Sequence, residues 1–206
     1  MSQKSRSACL RQKDSTITIE FANFVRTKFA RMKKILLFFV ALAGFAAGAQ
    51  DFKTLTYFAN DSIKLELDLF VPKEKSKEKL PLLIHVHGGG FSGGERKNGH
   101  HICSYAAQHG YVAATITYTL YMKGKNFSCG GQLPEKVKAF QIAANQLWQA
   151  TIFLMKNADK YNIDINKIFI SGSSAGAETV LHAAYWDRDV MGLYPEKLPA
   201  GFKYAG

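Results

Sequence analysis

Long apolar runs are scarce in this 206-residue chain. The best candidate, Ile35 to Ala46, is about a dozen residues long, against the roughly 18–20 that a bilayer-crossing helix needs, which makes a permanent membrane span the lesser reading. Cysteine is scarce too, with three in the whole chain, so at most one disulfide can form. No internal repeat and no low-complexity segment interrupts the sequence. No recognisable nucleic-acid-binding motif and no basic stripe interleaved with aromatics is present, so the net charge of +11 does not argue for a nucleic-acid partner. Residues 1–49 hold nine Lys/Arg against two Asp/Glu, whereas residues 50–206 hold 18 against 14, so the basicity belongs mainly to the leader.

That leader has a recognisable order. Met32-Lys33-Lys34 is followed by the apolar run and then by Ala47-Gly48-Ala49-Gln50, which is the cationic start, apolar core and small-x-small cleavage site of a secretory signal peptide. The expected organisation is a mis-assigned extension over 1–31, a signal peptide over 32–49 and one globular domain over 50–206, exported from the cell or to the periplasm. Cys103 and Cys129 then remain after cleavage, and a bridge enclosing the 25 residues between them would add ~3 kcal/mol. Two free thiols fit the sequence equally well.

In the mature region, Phe52 to Phe58 and Ile63 to Phe70 read as two antiparallel, half-exposed strands, because Ile63, Leu65, Leu67 and Leu69 alternate with Lys64, Glu66 and Asp68. Pro81 to His87 reads as a buried strand running into Gly88-Gly89-Gly90, and Tyr111 to Tyr118 as another. Helices are expected near Asn98 to His109, from Pro134 to about Lys160, and from Ala175 to about Trp186, with a buried strand at Lys167 to Ser171. Strands separated by helices imply crossovers and a mainly parallel sheet covered on both faces, the three-layer α/β class. Phe202 to Gly206 reads as the opening of a further strand, so the fold is expected to be cut short after the helix that follows Ser174.

Two motifs carry chemistry. Gly172-Ser173-Ser174-Ala175-Gly176 lies between a predicted strand and a predicted helix. A serine thrust out of such a turn needs small neighbours two positions either side, because the turn packs tightly against its surroundings. A bland reading, a small-residue turn capping a helix, competes with the nucleophilic one. His87-Gly88-Gly89-Gly90-Phe91, about 85 residues earlier, also ends a predicted strand. A glycine run lets main-chain N–H groups face a cavity, so Gly89 and Gly90, with Ala175, are the candidate oxyanion donors for a catalytic Ser174. A flexible turn or phosphate nest is the competing reading of that run.

On these motifs the chain resembles the α/β-hydrolase superfamily, in particular the carboxylesterase and hormone-sensitive-lipase-like branch, from about Leu55 to Tyr204. The resemblance implies hydrolysis of carboxylic esters, of small molecules or of acetyl or feruloyl groups on polysaccharides, with no cofactor or metal, and makes His87 a loop-shaping residue. It also implies an acid and then a histidine after the serine. Only His182 follows Ser174, within the same helix, so the chain is expected to lack its base, and a non-catalytic hydrolase-fold protein or binding module is the alternative. His85, His87, His100, His101, Cys103 and His109 show no zinc spacing and are expected in core or surface roles. Glu178 falls four residues from both Ser174 and His182, which suggests contacts along one helix face.

Overall fold

The computed structural model describes residues 51–206. The leader readings over 1–49 lie outside the described residues. Five strands form one mixed sheet: β1 (Phe52–Ala59), β2 (Lys64–Phe70), β3 (Leu80–Val86), β4 (Val112–Ile116) and β5 (Ile163–Gly172), in the order β1-β2-β4-β3-β5. β3, β4 and β5 run parallel, as expected for strands joined through helices. β1 and β2 are antiparallel to each other, and β2 is antiparallel to β4, so the parallel part is confined to three strands.

Helices cover both faces. α1 (His100–Gln108), entered through a 3₁₀ turn at Arg96–Gly99, packs on β4. Its Cys103, Ala106 and Ala107 meet Phe70 and Ala113, and this small cluster fills one face. α2 (Leu133–Lys156), followed by the single turn α3 (Ala158–Tyr161), and α4 (Ala175–Tyr185) cover the other face, before a last turn α5 (Arg188–Met191). There Leu67, Leu82, Ile84, Val86, Val112, Ile116, Leu147 and Leu154 form the main core. Alternate residues of β3 and β4 divide between the two clusters, as the period of two requires. Pro134 sits in the first turn of α2, where its missing N–H costs nothing.

Three expectations need correction, and one open alternative is settled. β5 begins at Ile163, four residues before the expected start, because exposed Ile165, Asn166 and Lys167 disguise it. β2 is not half exposed: it lies between β1 and β4, and Asp68 is 1% exposed. Cys103 is buried and Cys129 exposed, and both are free thiols. The expected further strand at the end of the chain is not formed, although Ala205 N–H donates to Ile168 O (2.8 Å) and Ile170 N–H to Gly206 O (2.9 Å) along the outer edge of β5.

Candidate active site

β3 and β5 are neighbours and parallel, with Val86 opposite Gly172, so their C-terminal ends deliver the two glycine-containing turns to the same place. Ser174 occupies the turn between β5 and α4 at φ 51° and ψ −120°, a conformation that side chains rarely adopt. Packing imposes it. A β-carbon on Gly172 would overlap the carbonyl of Gly176, and one on Gly176 would overlap the carbonyl oxygen of Val86 and stand 2.8 Å from that of His87. The turn is thus pressed against the end of β3, and Ser174 stands out from it, exposed. Ser173 N–H donates to Val86 O (3.2 Å), and Gly176 N–H closes the turn on Ser173 O (2.9 Å).

The glycine loop abuts this turn. A β-carbon on Gly88 would lie 2.6 Å from Ser173 O and 3.2 Å from Ser174 Cβ. Gly89, Gly90 and Phe91 follow at φ 126°, 59° and 56°, three successive residues outside the normal range. The carbonyl of Gly89 accepts from the N–H groups of Ser92 and Gly93, both at 3.0 Å. The N–H groups of Gly89 and Gly90 donate to no acceptor among the described residues. Ala175, at the first position of α4, likewise has no intrahelical acceptor for its N–H. Three free donors therefore lie in the segments flanking Ser174, the composition an oxyanion cradle needs.

The histidines hold the frame rather than the serine. His87 is 2% exposed, hydrogen-bonds through Nδ1 to Gly88 O (2.7 Å), and stacks on Tyr118 with centroids 4.5 Å apart. Tyr118 O–H donates to His87 O (2.9 Å), so the loop is gripped from both sides. Burial lowers the His87 pKa and raises that of Tyr118, favouring the neutral form of each. His85 bonds Ser171 Oγ through Nδ1 (2.9 Å), and burial first, then His101 and His87, push its pKa down to about 4. His182 lies within α4, stacked on Trp186 (4.0 Å) and close to Phe140 (4.8 Å). The expected contact of His182 with Glu178 is not made, and Glu178 Oε2 is buried without a hydrogen-bond partner. All six histidines are described, and none hydrogen-bonds to Ser174 Oγ. No group of three or more metal-ligating side chains occurs among the described residues.

Two features had no signal in the sequence. Tyr118 reads there as the end of a strand. Asp68 reads as a solvent-facing alternate residue, yet it accepts from Thr54 Oγ1 (2.7 Å) and His100 Nε2 (2.8 Å) and pairs with Arg96 Nε (2.9 Å). Burial alone would raise its pKa, but these partners outweigh burial and lower it. Arg96 and His100 directly follow the glycine loop, so Asp68 ties the exit of that loop to β2.

The BD-FAE family model matches residues 67–193, well over half of the chain. The chain belongs to the BD-FAE family. Gut esterase 1 of Caenorhabditis elegans is 32% identical over 132 residues, covering 63% of this chain and 22% of that protein. Fumonisin B1 esterase of Sphingopyxis macrogoltabida is 30% identical over 118 residues, 56% of this chain and 22% of that one. The solved Thermogutta terrifontis esterase 2, phosphonylated by sarin, superposes with a TM-score of 0.50 at 20% identity over 62% of this chain and 42% of its own, which establishes the α/β-hydrolase fold. The BD-FAE chain spans about a fifth of the length of these curated relatives and under half of the solved one. Within the BD-FAE match lie both the glycine loop and the serine turn.

Proposed function

We propose that this chain supplies the nucleophile and oxyanion cradle of an exported serine hydrolase acting on carboxylic esters. The observation that carries the reading is Ser174, held at φ 51° between two glycines that cannot be enlarged, and standing beside Gly88. In this reading Ser174 Oγ attacks the ester carbonyl, the N–H groups of Gly89, Gly90 and Ala175 receive the charge that develops on its oxygen, and the alcohol leaves. Water then releases the acyl group from the serine. One such donor is worth ~10²–10³-fold in rate. The esterase names of the relatives support the reaction class. Small-molecule esters, or acetyl or feruloyl esters on plant polysaccharides reached after export, are the substrates this reading favours.

A second reading has its own observation: no histidine hydrogen-bonds to Ser174 Oγ, and loss of the base in a comparable serine hydrolase costs ~10⁶ in turnover. On that reading the 206 residues bind but do not turn over. Nitrophenyl acetate and a long-chain nitrophenyl ester, assayed on the chain and on its Ser174→Ala variant, separate the readings. Turnover that Ser174→Ala abolishes, with the short ester preferred, supports the esterase. Equal background from both proteins supports the second reading for the isolated chain.

A further inference from the structure

The connection between β4 and α2 carries charge out of proportion to its length. Residues 121–138 contain Lys123, Lys125, Lys136 and Lys138 against the single acid Glu135. Since residues 50–206 hold 18 basic and 14 acidic side chains, three of the four surplus positive charges fall in this stretch. Three of the four lysines gather round two rings. Lys125 Nζ stands 3.6 Å from the Tyr121 centroid and Lys138 Nζ 5.2 Å from it, while Lys136 Nζ lies 5.7 Å from the Phe127 centroid. Lys125 also pairs with Glu135, and Lys136 Nζ donates to Ser128 O (2.6 Å). Lys123, Lys125 and Lys138 are exposed. A concentration of one sign of charge destabilises a surface in isolation and draws counter-charge to it.

The connection is fastened to the glycine loop. Met122 N–H donates to Phe91 O (2.8 Å), Tyr118 O–H to His87 O (2.9 Å), and Phe91 and Phe127 rings meet at 5.3 Å. Phe127 Cδ1 is 3.9 Å from where a β-carbon on Gly90 would stand. The cationic rim thus borders the segment that flanks Ser174. By contrast, a cavity of about 620 Å³ lined by Phe52, Lys73, Leu80 and Tyr161 lies at the N-terminal ends of β3 and β5, at the far end of the sheet.

We propose that this rim binds the carboxylates of an anionic oligosaccharide, one built with uronic acid units, and so brings esters carried on such a chain to Ser174. The second half of that statement rests on the esterase reading; the binding does not. An ammonium group already sits 3.6 Å from the Tyr121 ring, where a nucleobase would stack, so an anionic sugar chain fits this rim better than a nucleic-acid strand. Separate ammonium groups on flexible stems match carboxylates spaced along a sugar chain.

Titration calorimetry of the full chain at low salt with hexagalacturonate and with neutral xylohexaose tests the proposal. The uronate oligomer is expected to bind at least about tenfold more tightly, and the preference to collapse at ~0.5 M salt, where screening shortens charge interactions to a few ångström. Lys123→Gln combined with Lys138→Gln leaves the Lys125–Glu135 pair in place and should bring the preference below about threefold. Lys73→Gln with Lys160→Gln, at the far end of the sheet, and Ser174→Ala should each leave it unchanged. Equal affinity for the two oligomers, or a preference indifferent to Lys123 and Lys138, overturns the proposal. So does tenfold tighter binding of a sulfated oligosaccharide or of single-stranded DNA than of the uronate. Failure of the esterase reading would appear separately, as an unreactive Ser174 with uronate binding intact.

Discussion

Gly176, in the first turn of α4, packs its Cα against the main-chain carbonyl of Val86 at the end of β3, with no room for a β-carbon between them. The neighbour is backbone and cannot swing aside. Gly176→Ala should therefore cost about 1–3 kcal/mol, the usual range for overpacking a tight contact. Urea denaturation read by circular dichroism measures it. Gly130→Ala is the comparison: its β-carbon would meet Asn126 Nδ2 at an ordinary 3.7 Å, so its cost should stay within about 0.5 kcal/mol.

Asp68 holds three partners from three segments, at 1% exposure. Removing its carboxylate leaves the half-buried Arg96 guanidinium without its main counter-charge, although Glu66 remains 3.3 Å from Arg96 Nη2. Asp68→Ala should lower stability by about 3 kcal/mol, the lower end for breaking a buried pair. Thr54→Val, which deletes one neutral donor to the same carboxylate, should cost about 1 kcal/mol. Equal effects of the two substitutions would show that the charge does not matter there.

Acid should destabilise the domain through its buried histidines. Burial lowers the pKa of His85 to about 4, against 6.5 when unfolded, and lowers those of His87 and His182 in the same direction. Below pH 6.5 the unfolded chain takes up these protons first, so their contribution is complete above pH 6.5 and declines as pH falls towards about 4. Asp68, with its pKa lowered, loses its contribution only below 3.8, on the acid side of that window. Urea midpoints between pH 7 and pH 4 should fall for the parent chain and fall less for His85→Gln.

Much of the frame is legible in the sequence because its signals are local. The alternation in β2, the glycine run after β3 and the two small residues flanking Ser174 each report on a few adjacent positions. What escaped depends on partners distant along the chain. Asp68 looks like any outward strand residue until Arg96 and His100, about 30 residues later, fold over it. Tyr118 gains its role only because its hydroxyl reaches His87 O, 31 positions away. The start of β5 is hidden because its first half carries exposed Asn166 and Lys167, where a buried strand would show an apolar run.

The central claim is that Ser174 is the nucleophile, and phosphonylation tests it most directly. A fluorophosphonate forms a bond between phosphorus and a serine oxygen as fluoride leaves, and the serine proton must pass to a base. Since none of the chain's histidines hydrogen-bonds to Ser174 Oγ, added imidazole supplies that base. Peptide mapping by mass spectrometry should then find one label, on Ser174, with imidazole-dependent formation, and none in Ser174→Ala. A label on Ser171, Ser173 or another residue, or a Ser174 that stays unmodified at high imidazole, would contradict the account.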